Sequence, residues 1–138
     1  MGYSAAWYVD MGRTARDFNG DGYADVVVGA PQNDAGGADA GRACQFLGGP
    51  GDGPDAEADA VFTGSSLERF GWSVATGVDV NGDGYDDLVV GAPENNAAGN
   101  QAGAAYIFLG GSASLNAPPA DVTLLGETAE DGFGWSVY

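Results

Sequence analysis

A chain of 138 residues has room for one ordinary domain with a real core, and its 25 glycines and 6 prolines point to short strands and tight turns rather than helices. Twenty acids face four bases, Arg13, Arg16, Arg42 and Arg69, and the formal charge of -16 excludes nucleic acid and anionic membrane surfaces as partners. With no histidine and one cysteine, Cys44, the chain lacks the commonest general base, the commonest transition-metal ligands and any intrachain disulfide, which leaves hard, oxygen-seeking cations.

The N-terminal stretch "MGYSAAWYVDMG" has neither the positive nor the continuous apolar region of a signal peptide. No apolar span reaches the roughly 18 residues of a membrane helix, so membrane insertion is not expected. The first predicted strand is "AAWYV" at 5–9, laid over the later "FGWSV" at 70–74 so that Trp7 and Val9 match Trp72 and Val74, with three extra residues before the next loop. That loop, "DFNGDGYADVVVGAP" at 17–31, runs from a crowd of acids into an apolar strand that Gly29-Ala30-Pro31 closes into a turn. A polar loop at 32–40 leads to a third strand, "ACQFLGG", in which Cys44 reads as a small buried side chain. The acidic Gly/Pro segment at 48–60 reads as a solvated linker.

From residue 70 the pattern repeats: "FGWSVATGVDV", the acidic loop "DVNGDGYDDLVVGAP" at 79–93, the polar loop "ENNAAGNQ", "GAAYIFLGG", a second polar loop and "ADVTLLGE". The acidic loops recur 62 residues apart, and "FGWSV" returns at 133–137. Each unit thus holds four short apolar or alternating runs with turn chemistry between them, an up-and-down four-stranded sheet. A lone sheet with glycine-rich strands cannot bury both faces, and such units stack radially as propeller blades. The recurring Phe70, Trp72, Phe133 and Trp135, with Phe46, Tyr106 and Phe108, are expected to pack in or between blades.

"FGWSV" followed after an acidic loop by "VVGAP" resembles the FG-GAP repeat of integrin alpha-subunit β-propellers and related bacterial proteins. The expected fold is all-β, with blade 1 at about 5–69, blade 2 at about 70–132 and an overhanging strand at 133–138. Two blades cannot close a ring of about four to eight, and open edges template pairing, so a cyclic homo-oligomer is expected, a trimer or tetramer before a dimer.

The acidic loops have the form D-x-N-x-D-G-x-x-D. Oxygens at positions 1, 3, 5 and 9 can converge, position 7 can add a backbone carbonyl, and the glycine at 6 permits the sharp turn. The candidate donors are Asp17, Asn19, Asp21, the Tyr23 carbonyl and Asp25, then Asp79, Asn81, Asp83, the Tyr85 carbonyl and Asp87. Three carboxylates, an amide and a carbonyl suit Ca2+, at two sites per chain, because unneutralised charges so placed repel. Val28 and Val90 stand at position 12 where an EF-hand carries its bidentate Glu, and a strand follows in place of a helix, so neither loop is an EF-hand or a dockerin-type loop. The family resemblance implies the same loops and a structural role for the metal. Asp86 has the wrong parity for a ligand and reads as a surface acid.

These observations predict a non-enzymatic, calcium-binding propeller module. The resemblance implies an extracellular or cell-surface setting and adhesion through a protein or glycan ligand. Contact residues are unknown; the loops at 32–40 and 94–102, with Asn33, Asp34, Asn95 and Asn96, are candidates by exposure alone. The alternative is a truncated or engineered propeller piece whose only role is self-assembly. A calcium-assisted hydrolase or lyase ranks below both, because no paired acid and base stand outside the metal loops.

Overall fold

The computed structural model describes the backbone of Ser4–Ala5 and residues 16–51, 53–112 and 119–138. Eight strands form two four-stranded sheets, each in chain order. The first contains β1 (Ser4–Ala5), β2 (Val26–Ala30), β3 (Arg42–Phe46) and β4 (Ala60–Thr63). The second contains β5 (Ser73–Val78), β6 (Asp87–Ala92), β7 (Ala104–Phe108) and β8 (Val122–Leu125). Every pairing is antiparallel, and no helix occurs among the described residues. Up-and-down order places the acidic loops and the β3–β4 and β7–β8 connections at one end of the sheets. The loops at 32–40 and 94–102 lie at the other.

The opening strand differs from the expected alignment. Ser4 pairs with Gly29 as Ser73 pairs with Gly91, so Ser4–Ala5 occupies the place of Ser73 and Val74, where the sequence alignment put Tyr8 and Val9. Trp7 and Val9 themselves lie outside the described residues. The C-terminal segment differs too: Phe133 bridges to Gly103 as Phe70 bridges to Gly41, but 133–138 forms no strand. Strand geometry needs a continued ladder: Phe133 N–H donates to the Ala102 carbonyl at 3.0 Å, but no described strand pairs with residues 134–138.

The core lies between the sheets. Val27, Ala43 and Phe62 of the first face Val74, Leu88, Val90 and Phe108 of the second, all buried. Phe62 packs on Phe108 with ring centroids 4.5 Å apart, and Phe70 adds its ring 6.1 Å from Phe108 and 5.3 Å from Tyr106. Strand alternation explains the assignment, since every second residue of β2, β3, β6 and β7 turns to this one interface. Glycine permits the close approach: a Cβ on Gly29 would strike the Gly71 carbonyl, and one on Gly91 would strike the Gly134 carbonyl. Residues 70–72 therefore lie on blade 1 as 133–135 lie on blade 2, and Ser73 Oγ donates to the Gly134 carbonyl at 2.9 Å.

A buried polar cluster ties this interface together at the end away from the acidic loops. The Glu68 carboxylate accepts Ser65 N–H at 2.8 Å, Asn95 Nδ2–H at 2.7 Å and the Tyr106 hydroxyl at 3.0 Å. Burial, and then the Glu68 charge, push the Tyr106 phenol well above its usual range, so it stays a donor. Asn95, expected as an exposed contact residue, is 8% exposed because this cluster consumes its side chain.

Two apolar faces remain open. On blade 1, Val26 and Val61 are exposed and Val28 and the free Cys44 are half-buried, so the thiol is less enclosed than expected. On blade 2, Leu124, Phe133 and Trp135 are exposed, Trp135 at 60%. Trp135 stacks on Trp72 with centroids 4.8 Å apart, so only Phe70 of the recurring Phe-Gly-Trp aromatics is fully buried.

Candidate metal loops

Each acidic loop joins the first two strands of its blade, β1 to β2 and β5 to β6, at one end of the molecule. The first residue organises the curl. Asp17 Oδ1 accepts the N–H groups of Gly20 at 2.7 Å and Asp21 at 3.1 Å, and Oδ2 accepts that of Gly22 at 2.7 Å. Asp79 does the same with Gly82 at 2.6 Å, Asp83 at 3.1 Å and Gly84 at 2.9 Å. Positive φ at the sixth position, 88° at Gly22 and 92° at Gly84, lets the chain turn beneath these acceptors.

The tip repeats with the same fidelity. Asn19 Oδ1 accepts Asp21 N–H at 3.1 Å while Asp21 Oδ1 accepts Tyr23 N–H at 2.9 Å; Asn81, Asp83 and Tyr85 match them at 3.1 and 3.0 Å. The ninth residues are buried where β2 and β6 begin. Asp25 accepts Phe18 N–H and Gly48 N–H, both at 2.8 Å, and Asp87 accepts Val80 N–H at 2.7 Å and Gly110 N–H at 2.8 Å. Burial pushes the Asp25 carboxyl above its usual range against the pull of those N–H groups, and the charges of Asp17 and Asp21 push it the same way.

All ten sequence-predicted donors thus fall in two matching loops. The carboxylates alone form no closed cage: among the described residues, no three Asp, Glu or Cys side chains gather tightly enough to hold an ion. What each loop offers is a mixed oxygen set of exposed tip carboxylates, an amide, a carbonyl and a buried carboxylate. That chemistry fits a hard, flexible-geometry cation such as Ca2+ rather than zinc or a soft metal.

Asp86 departs from the sequence reading. It is half-buried, and its Oδ2 accepts the N–H of Asp17, in the other loop, at 3.0 Å. Burial pushes its carboxyl up, opposed by that N–H and reinforced by the charges of Asp17, Asp87 and Asp79. Sequence reasoning missed it because spacing within one loop says nothing about the loop beside it; Ala24 at the equivalent position is the one visible signal. At the opposite end, Asn33, Asp34 and Asn96 brace their own loops by accepting the N–H groups of Ala35, Asp39 and Gln101 at 3.0, 2.9 and 2.7 Å.

Comparison with known proteins places these features in a family. The family model described as "FG-GAP repeat" matches residues 14–43 and 70–108, together half of the chain. Integrin alpha-IIb of Mus musculus is 35% identical over 142 residues and covers 99% of this chain. Integrin alpha-PS5 of Drosophila melanogaster is 41% identical over 128 residues and covers 82%. Phosphatidylinositol-glycan-specific phospholipase D of Bos taurus is 33% identical over 133 residues and covers 90%. The chain spans 14%, 11% and 16% of the lengths of these three relatives.

Proposed function

Because the chain belongs to the FG-GAP repeat family and its two sheets are propeller blades of that type, we propose that it is a calcium-clamped, non-catalytic β-propeller module serving adhesion at the cell surface or outside the cell. The observation that carries this reading is the bond-for-bond identity of the two acidic loops. Each is a preformed oxygen-lined turn whose like charges a cation would neutralise. Asp17, Asn19, Asp21, Tyr23 and Asp25 would hold one ion, and Asp79, Asn81, Asp83, Tyr85 and Asp87 the other. The ion would supply charge neutralisation and loop rigidity, and the loops at the far end would be left to meet a protein or glycan.

The open faces complete the proposal. The open face of blade 2, with Val89, Leu124 and Phe133, is the repeat counterpart of the blade 1 face that is buried inside the molecule, with Val27, Phe62 and Phe70. The open face of blade 1, with Val26, Val28 and Cys44, corresponds to the buried Leu88 and Val90 and the half-buried Tyr106. Head-to-tail docking of copies therefore reproduces the internal interface, and three or four chains give rings of six or eight blades. The reproduction is imperfect: Leu124 replaces Phe62, and Cys44 cannot supply the hydroxyl of Tyr106. A calcium-assisted hydrolase or lyase is the weaker reading, since the sequence offers no paired acid and base outside the metal loops.

Light scattering behind a sizing column tests this function. The expected result is a single mass of three or four chains in calcium, falling on chelation. A monomer indifferent to calcium would overturn the assembly.

A further inference from the structure

Asp86 has no counterpart in the first loop, where Ala24 stands at the same place. Its carboxylate crosses the boundary between blades to accept Asp17 N–H at 3.0 Å, and its own N–H faces the Asp17 carbonyl at 3.4 Å. Asp17 is the residue whose carboxylate gathers three N–H groups of the first loop. Asp86 sits between Tyr85 and Asp87, two donors of the second. Two further contacts join the same regions. The Tyr85 ring lies so close over Gly20 that a Cβ there would stand 2.8 Å from Tyr85 Cε1. Gly111 N–H donates to the Phe18 carbonyl at 3.0 Å, while Phe18 N–H is held by Asp25.

From this geometry we infer that Asp86 is a positioning residue that couples the two acidic loops, so that an ion held in one raises the affinity of the other. The inference rests on the calcium reading of the loops. An ion fixes Asp17, which fixes the N–H presented to Asp86, and Asp86 is covalently continuous with the Tyr85 carbonyl and the Asp87 carboxylate. The second loop is then already ordered when its own ion arrives, and the ordering cost of that step is smaller. With Ala24 at the equivalent position, the first loop has no such arm, so the coupling belongs to this boundary alone among the described residues.

Calorimetric calcium titration of four chains tests the coupling: the unaltered protein, Asp21→Asn, Asp86→Ala and the double variant. Weakening the first loop with Asp21→Asn is expected to lower the affinity of the second by about tenfold, within the usual range of coupling between sites. In the Asp86→Ala background the same change should leave the second loop untouched. Asp86→Asn, which keeps an acceptor for Asp17 N–H, should retain the coupling, whereas Asp86→Leu, which fills the space without an acceptor, should not, an outcome that a merely space-filling role would not produce. If the unaltered chain takes two ions and Asp21→Asn leaves the second site unchanged, the coupling is overturned and the calcium reading stands. A chain that takes no ion overturns both. Asp21→Asn alone separates these outcomes, whether or not Asp86→Ala folds.

Discussion

Replacing Phe62 by Ala is expected to destabilise the folded chain by about 3–5 kcal/mol, the usual cost of removing a buried phenyl ring. Phe62 is fully buried, lies on β4 of the first sheet and packs against Phe108 of the second at 4.5 Å between centroids. Its removal opens a cavity at the centre of the only core formed by the described residues, between two sheets whose glycine-rich backbones cannot move closer. Gly29 of the first sheet already lies against the Gly71 carbonyl at the entry to the second. A loss of that size is a large share of the roughly 5–15 kcal/mol by which domains are stable. Urea unfolding of Phe62→Ala beside Leu124→Ala checks it. Leu124 occupies the equivalent position on the open face of blade 2 and is 44% exposed, so its truncation should cost the isolated chain far less. Equal losses would mean that the two sheets do not share the core described.

The second large effect concerns the loops. Asp21→Asn with Asp83→Asn removes one charge from each tip while keeping an acceptor for the N–H groups of Tyr23 and Tyr85. In calcium the double variant is expected to melt about 10 °C below the unaltered chain, which is what loss of ligand stabilisation of about 3 kcal/mol amounts to for a domain of this size. In chelator its melting point should equal or exceed that of the unaltered chain, because repulsion within each loop is relieved. Asn is the informative substitution. Ala at Asp79 would strip acceptors from three loop N–H groups and lower stability with or without the ion. A loss of the same size in chelator would remove any role for the metal.

Much of this molecule is written locally. Alternation in "DLVVGAP" and "GAAYIFLGG" specifies strands, Gly-Ala-Pro ends them, and D-x-N-x-D-G-x-x-D dictates a turn whose first carboxylate must collect the N–H groups of its own curl. Each of these is a relation between residues a few positions apart. What local pattern misses are relations between distant residues. Asn95 reads as a surface amide because its partner, Glu68, comes 27 positions earlier and reaches it only when the blades pack. Asp86 reads as idle because the N–H it accepts belongs to Asp17, 69 positions away. The opening strand starts earlier than the sequence suggests because Trp7 draws the alignment toward Trp72. In the sequence match of "GYSAA" to "GWSVA" Tyr3, not a Trp, stands opposite Trp72, and the chain from Ser4 to the first acidic loop is seven residues longer than that from Ser73 to the second.

The central claim is that the duplicated loops hold calcium, and counting the ions tests it most directly. Equilibrium dialysis of the chelator-stripped chain against micromolar calcium, followed by elemental analysis, should return two ions per chain, and about one after Asp83→Asn. No calcium retained above the dialysis buffer would contradict that claim. The loops would then be turns that satisfy their own hydrogen bonds and nothing more.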